Sequence, residues 1–286
     1  MTPEMDAVVA PPPEVIERGQ RERDFFNRYN DAGEIKDSDL VALPLLSTIP
    51  EEVTEHFPSL QDKYVCDFGC GYGVTSAWFA LQGARVFGFD VAETNVAIAR
   101  RAAKVNKVED RMTVEVMQAE SAPLPSNAFD LVFGNGVLHH LDIEISARQI
   151  LRILKPAGIA IFREPLGENV LLEWIRRSPL RGAQHRHSED EHSLRYADVE
   201  VLRRVFPRVE FREAELFSLL GALLREFKST PTISPRREEL IKKVQQFDRR
   251  MLAKFSALRP LASYSTICLF KPDQALMSAA HVEKSA

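Results

Sequence analysis

Residues Tyr64–Ala80 read YVCDFGCGYGVTSAWFA. An apolar run over Tyr64–Phe68 is interrupted by Asp67. It passes Gly69, Gly71 and Gly73 and turns into a helix-like pattern over Val74–Gln82 that ends at Gly83. Glycines free the backbone for unusual dihedrals and let a ligand approach closely. The helix that follows begins with unpaired N–H groups. The same alternation continues downstream. Strands are predicted at Arg85–Phe89, Met112–Met117, Phe129–Phe133 and Ile159–Arg163. Helices are predicted at Thr94–Asn106 and Ile143–Leu154, with a turn at Pro156–Gly158. This order predicts an α/β fold: a doubly wound, mostly parallel sheet with helices on both faces.

Flanking segments extend this core. Glu14–Tyr29 has apolar residues at helical spacing and stops at Gly33. Short helices are expected at Asp39–Leu46 and Glu51–Phe57, broken by Pro44 and Pro50. Beyond Pro165, helices are expected at Asn169–Arg177, Tyr196–Val205, Leu216–Phe227 and Arg236–Leu258. Strands are expected at Val209–Glu215 and Ser263–Phe270, the last returning to the sheet. The expected organisation is a leader at 1–13, one domain at 14–272 and a loose tail at 273–286. Within the domain, 14–60 forms a helical cap, 61–165 the ligand-binding core, and 166–272 the substrate-side half with a helical insertion near 216–260.

Composition narrows the function classes. The 286 residues are 45% hydrophobic and 27% charged, ordinary for a chain with a sizeable core. A net charge of −4 gives no general pull towards nucleic acid or acidic membranes. The three cysteines, Cys66, Cys70 and Cys268, do not make a disulfide framework. Cys66 and Cys70 lack the further ligands that zinc requires, so no metal is expected. No apolar stretch approaches the roughly 20 residues that span a bilayer. A cytoplasmic location is expected, and the oligomeric state is left open.

The glycine spacing selects the ligand. Dinucleotide sites use G-x-G-x-x-G, whereas this chain has G-x-G-x-G and Val74 at the third dehydrogenase position. Asp67 would repel a pyrophosphate but attract an ammonium group. Asp90 ends the second strand, where a carboxylate accepts hydrogen bonds from both ribose hydroxyls. A ligand with a ribose, no phosphate and a cationic amino-acid tail suits both acids, and S-adenosylmethionine is such a ligand. Taken singly, Asp67 equally reads as a turn cap and Asp90 as a solvated strand end. The glycines between them favour a binding site.

Four stretches, in order across Tyr64–Glu164, carry a family resemblance: VCDFGCGYG, VFGFDVAETNVAIAR, QAESAPLPSNAFDLVFGNGVLHHL and ILRILKPAGIAIFREP. Together they resemble the class I S-adenosylmethionine-dependent methyltransferases of the small-molecule branch. The resemblance implies a Rossmann-like seven-stranded sheet with an antiparallel last strand, and helical additions at both ends forming a lid. It implies that Gly69, Gly71 and Gly73 cradle the methionine moiety and ribose, with Asp67 near the amino group. It further implies that Asp90 binds the ribose and Val91 packs on the adenine. Gln118, Ala119 and Glu120 would line the adenine edge, although the family often has an acid in place of Gln118. Asn135 would sit near the amino-acid tail and the sulfonium.

Candidate catalytic groups cluster at the same sheet edge. His139 and His140 follow the fourth strand, and one is a candidate base for an oxygen nucleophile; alternatively the pair shapes the loop. Glu164 is a further candidate at the end of the fifth strand. Arg163 and Glu164 either contact substrate or form an ion pair. Phe25 and Tyr29 on the front helix either pack or meet substrate. The charged stretch over 176–196 reads as a solvated loop, as a metal site of His187, Asp190 and His192, or as a lid whose arginines receive an anion. The apolar run LFSLLGALL suggests an apolar or amphiphilic acceptor of secondary metabolism. Three function classes remain: a small-molecule methyltransferase, a nucleic-acid or protein methyltransferase, and a non-catalytic binding protein of this fold. GNGV after the fourth strand lacks the N-P-P-aromatic motif of amino-group methylation, and no Pro-Cys nucleophile is present, so the first class is favoured and no nucleic-acid partner is expected.

Overall fold

The computed structural model describes residues 10–30, 35–42, 49–177, 188, 190–216 and 235–273. The opening stretch forms β1 (Tyr64–Phe68), at the centre of a seven-stranded sheet. β1 pairs in parallel with β2 (Arg85–Asp90) on one side and β4 (Phe129–Asn135) on the other. β3 (Met112–Val116) runs parallel beyond β2, and β5 (Leu154–Pro165) beyond β4. β7 (Tyr264–Phe270) is antiparallel to both β5 and β6 (Arg208–Ala214), giving the order β3-β2-β1-β4-β5-β7-β6. This is the mostly parallel sheet expected from the strand–helix alternation, with the seven strands and antiparallel last strand that the family resemblance implies. No helix among the described residues is long and apolar enough to cross a membrane.

Eight helices are described: α1 (Pro13–Tyr29), α2 (Glu51–His56), α3 (Val74–Leu81), α4 (Glu93–Asn106), α5 (Ile143–Ile153), α6 (Val170–Arg177), α7 (Tyr196–Val205) and α8 (Pro235–Lys254). Strand side chains alternate between faces. Cys66 and Phe68 therefore join Ala147 and Ile150 of α5 and Leu202 of α7 in one core. Val65 joins Ala77 and Phe79 of α3 and Val96 and Ala99 of α4 in the other. Phe68 is wedged edge-on between Phe89 and Phe162, with ring centres 4.9 and 6.0 Å apart. Burying each such ring contributes about 1.5–3 kcal/mol.

Three sequence expectations change in detail. β5 begins at Leu154 rather than Ile159, so Pro156–Gly158 lies inside the strand. Its pairing with β4 shifts register between Phe129 and Leu131, and Ala157 takes a φ of 59°, so the predicted turn is absorbed as a local irregularity. The helix expected at Asp39–Leu46 is a short 3-10 turn at Asp37–Leu40, and 43–48 lie outside the described residues. The helix expected at Arg236–Leu258 ends at Lys254, before a separate 3-10 turn containing Pro260. The insertion from 217 to 234, the leader 1–9 and the tail 274–286 lie outside the described residues.

Order along the sheet reverses between β1 and β4. In open α/β sheets such a switch opens a crevice at the strands' carboxyl ends. Gly73 holds one wall of it. It caps α3 at φ +72°, and a Cβ there would stand 2.8 Å from the Ala99 Cα of α4. Gly73→Ala combines backbone strain with a clash against backbone. It is expected to cost about 2–4 kcal/mol of stability, read from urea unfolding. A loss below about 1 kcal/mol would show that α4 yields freely.

Candidate active site

A cavity occupies the switch between β1 and β4. Gly69, Gly71, Asp90, Val91, Gln118, Ala119, Glu120 and Asn135 all line it. Gly69 and Gly71 take φ values of +73° and +51°. A Cβ on Gly71 would meet nothing within 4 Å, so its left-handed backbone borders open space. The Gly71 N–H donates to Asp90 Oδ2 at 3.0 Å, while Ala92 N and Asn95 Nδ2 donate to Asp90 Oδ1, each at 3.0 Å. Asp90 thus fixes the glycine turn and the start of α4 together. Burial raises its pKa above the usual carboxylate range.

Asp67 and Gly73 lie behind this surface rather than on it. Asp67 sits on the same side of β1 as Val65, facing α3, where it accepts a hydrogen bond from Ser76 Oγ at 2.5 Å. It is 2% exposed, and burial pushes its carboxyl up to about 7. Any contact with a ligand's amino group would have to pass around the glycine turn.

The far wall comes from α1. Arg18, Gly19, Glu22 and Phe26 line the cavity. Their spacing of one, four and eight residues from Arg18 places them on one helical face. Gly19 is small because Gln118 fills the adjoining space: a Cβ would stand 2.5 Å from the Gln118 amide. Arg18 donates to Glu120 Oε1 at 2.9 Å, and Gln118 Nε2 donates to Val15 O at 2.9 Å. Glu120 also accepts from Asp142 N at 3.2 Å. The charges of Arg18 and Glu22 and the small residue at Gly19 were visible in the sequence, but only as parts of a charged helix. Phe25 packs edge-on against Phe26 at 5.3 Å and does not line the cavity. The Tyr29 side chain is outside the described residues.

The two histidines separate in role by position. His139 is 5% exposed and does not line the cavity. Its Nδ1 lies 2.7 Å from Glu164 Oε2, and its Nε2 lies 3.5 Å from Glu191 Oε1. Burial opposes charging this ring, but Glu164 and Glu191 outweigh it and raise the pKa to about 9. Glu164 is fully buried, and its other oxygen accepts from Val137 N and Leu138 N. It therefore holds the loop after β4 and does not face the cavity.

His140 does line the cavity. Its Nδ1 is 3.2 Å from Glu22 Oε2, and its ring lies edge-on to Phe26 at 5.5 Å. Donor atoms of His139, His140 and Glu191 lie within 4.8 Å of one another, a spacing a metal could use. A His139 imidazolium between Glu164 and Glu191 already engages two of those three residues. Arg163 turns away to an ion pair with Glu215 and stacks over the Tyr264 ring at 3.9 Å. It still reaches Asn135 Oδ1 at 3.3 Å. Arg163 and Glu164 pair with other partners, not with each other. Of the proposed loop ligands, His187 lies outside the described residues, and Asp190 accepts both Nε and Nη2 of Arg21 at 2.7 and 2.9 Å.

The fold is an open α/β sheet with a cavity at its switch point, and comparison with known proteins narrows the class further. Residues 66–162 match the family model described as a methyltransferase domain. Methyltransferase GfsG of Streptomyces halstedii is 29% identical over 110 residues, covering 38% of this chain and 40% of that protein. The ubiquinone biosynthesis O-methyltransferase of Rickettsia canadensis is 30% identical over 118 residues, covering 41% and 48%. The match thus spans about half the length of these curated relatives, or less. Among solved structures, geranyl diphosphate C-methyltransferase of Streptomyces coelicolor superposes with a TM-score of 0.59 at 13% identity, covering 92% of this chain and 100% of that one. Phosphoethanolamine N-methyltransferase 2 of Haemonchus contortus gives 0.54 at 19% identity, covering 87% and 60%. Residues 66–162 thus carry a methyltransferase domain built on this sheet topology.

Proposed function

We propose that this chain binds S-adenosylmethionine in the β1/β4 crevice and transfers its methyl group to an oxygen of a small-molecule acceptor. The observation that carries this reading is Asp90, which ties the Gly71 turn to α4 at the edge of open space. A ribose placed there meets a carboxylate, and the absence of a pyrophosphate in the ligand suits Asp67 behind the turn. Bound structures of fold relatives, one carrying S-adenosyl-L-methionine and another S-adenosyl-L-homocysteine, support the same ligand class. Names among the sequence relatives favour an oxygen acceptor.

The cofactor supplies the reactive methyl on its sulfonium. The chain has to orient the acceptor in line with the S–C bond, exclude water and take up a proton. Asn135, Gly136, Val137 and His140 form the cavity end nearest the loop after β4, which supports His140 as the base. Phe26 and α1 shield that end from water.

Calorimetry with S-adenosylhomocysteine, using NAD as the rival ligand, tests the binding half. Micromolar affinity for the first alone supports it, and binding of NAD instead would overturn it. Turnover of methyl-labelled cofactor across a panel of phenols and apolar alcohols tests the second half. His140→Gln is expected to lower kcat by about 10²–10⁴-fold, with S-adenosylhomocysteine affinity changed less than about threefold. An unchanged kcat would remove His140 from the mechanism.

A further inference from the structure

We propose that Glu22, carried on α1, is the positioning residue for His140, so that the base is complete only when α1 is seated over the cavity. The inference rests on the methyl-transfer reading of this site. Glu22 is 4% exposed and comes from a segment far from His140 in sequence. One of its oxygens, Oε1, accepts the hydroxyl of Ser188. The other, Oε2, stands 3.2 Å from His140 Nδ1. The two atoms are off the line a hydrogen bond requires, and both are buried without a hydrogen-bond partner.

Leaving a buried carboxylate oxygen and a ring nitrogen unpaired costs stability. Phe26, one helical turn along α1, meets the face of the cavity beside the same ring. Other groups also face His140: the Glu191 carboxylate lies within 4.8 Å of one of its ring nitrogens and is engaged by His139 Nε2 at 3.5 Å. His139 stacks at 4.2 Å but is engaged by Glu164 and Glu191. Asp90, across the cavity, is engaged by Gly71, Ala92 and Asn95. Catalytic hydrogen bonds are often long in ligand-free sites and tighten in the complex.

The chemistry follows from the tautomer. With Nδ1–H directed at Glu22, Nε2 carries the lone pair. The acceptor's O–H proton moves to Nε2 as the oxygen's electron pair forms the bond to the methyl carbon. The S–C bond breaks with its pair going to sulfur, giving S-adenosylhomocysteine and a methyl ether. Glu22 then faces the imidazolium so formed and stabilises it, the role of an orienting carboxylate behind a histidine base.

The test is ¹⁵N-histidine NMR of the S-adenosylhomocysteine complex, comparing wild type with Glu22→Gln and Glu22→Asp. With the ring neutral, the His140 signals are expected to report the Nδ1–H tautomer in the wild type and in Glu22→Asp, and to shift towards Nε2–H in Glu22→Gln. An unchanged tautomer in a folded Glu22→Gln complex overturns the proposal, whether or not an acceptor has been found. Where an acceptor turns over, kcat of Glu22→Gln should drop about 10–100-fold, its acidic limb should move to lower pH, and acceptor KM should hold within about threefold. A loss in KM or cofactor affinity alone, with the limb unmoved, would assign Glu22 a purely structural role. Failure of the wild type to bind S-adenosylhomocysteine would instead strike the functional reading itself.

Discussion

Asp90→Asn is expected to weaken S-adenosylhomocysteine binding about 100-fold, close to 3 kcal/mol. Both carboxylate oxygens act as acceptors in the free protein: Oδ2 for Gly71 N, and Oδ1 for Ala92 N and Asn95 Nδ2. An asparagine has one acceptor end and one donor end. Either orientation turns an NH₂ group towards a backbone N–H. The glycine turn or the start of α4 must then shift, and a ribose loses its carboxylate partner as well. Stability should fall by only about 1–3 kcal/mol, the cost of one buried donor left unpaired. The two effects separate when affinity is measured by calorimetry at a temperature where circular dichroism shows the variant folded. Affinity within threefold of wild type would mean that the ribose does not meet Asp90.

Asp67→Asn should act in the opposite sense on stability. Burial is the largest cause that raises this carboxyl to about 7; the Ser76 hydrogen bond opposes it and the charge of Asp90 adds to it. In the unfolded chain the group titrates near its ordinary 3.8. Below that pH it is neutral in both states, and the folded state carries no penalty from it. As pH rises towards 7, the unfolded chain ionises while the folded chain keeps its proton, so this group's contribution to stability is progressively lost. Asparagine cannot ionise and can still accept from Ser76. The variant should therefore match wild type near pH 4 and exceed it at pH 8, by as much as about 4 kcal/mol. Thermal melts across that range read the difference. A variant less stable than wild type at pH 8 would show that the ionised carboxylate is well accommodated.

The strand order and the glycine turn were legible because their signals are local. Asp67, three glycines and Asp90 occupy fixed offsets along one strand–turn–helix–strand unit, and spacing alone placed them at one sheet edge. Strand alternation also carried a message that was not used: Asp67 shares a side with Val65, which turns it to α3 and away from the cavity. The start of β5 was misread because Pro156–Gly158 has the chemistry of a turn, while pairing with β4 holds it within the strand. α1 was recognised as a helix over the site, but its apolar residues drew attention to Phe25 and Tyr29. Helical spacing defines faces without saying which one meets the sheet, so Arg18 and Glu22 went unnoticed. The partners of the two histidines, Glu22 and Glu191, come from distant segments, and no local rule links them. The separate tasks of His139 and His140, adjacent in sequence, emerge only from those partners.

The attachment of α1 has a thermodynamic corollary. Val15 is its one fully buried aliphatic side chain among the described residues; Phe26 packs half-buried against His140, and much of the remaining grip is polar. Arg18 holds Glu120, Arg21 holds Asp190, Asn27 holds Glu93 at 2.5 Å and accepts from Thr94 N at 3.0 Å. A cover fastened in this way has little hydrophobic adhesion to overcome. Each group it releases on lifting is re-solvated at once, and neither sheet core is exposed. Opening is then a small excursion with a low heat capacity change, distinct from unfolding. Such an equilibrium would respond to dissolved ions through outer pairs such as Arg21–Asp190.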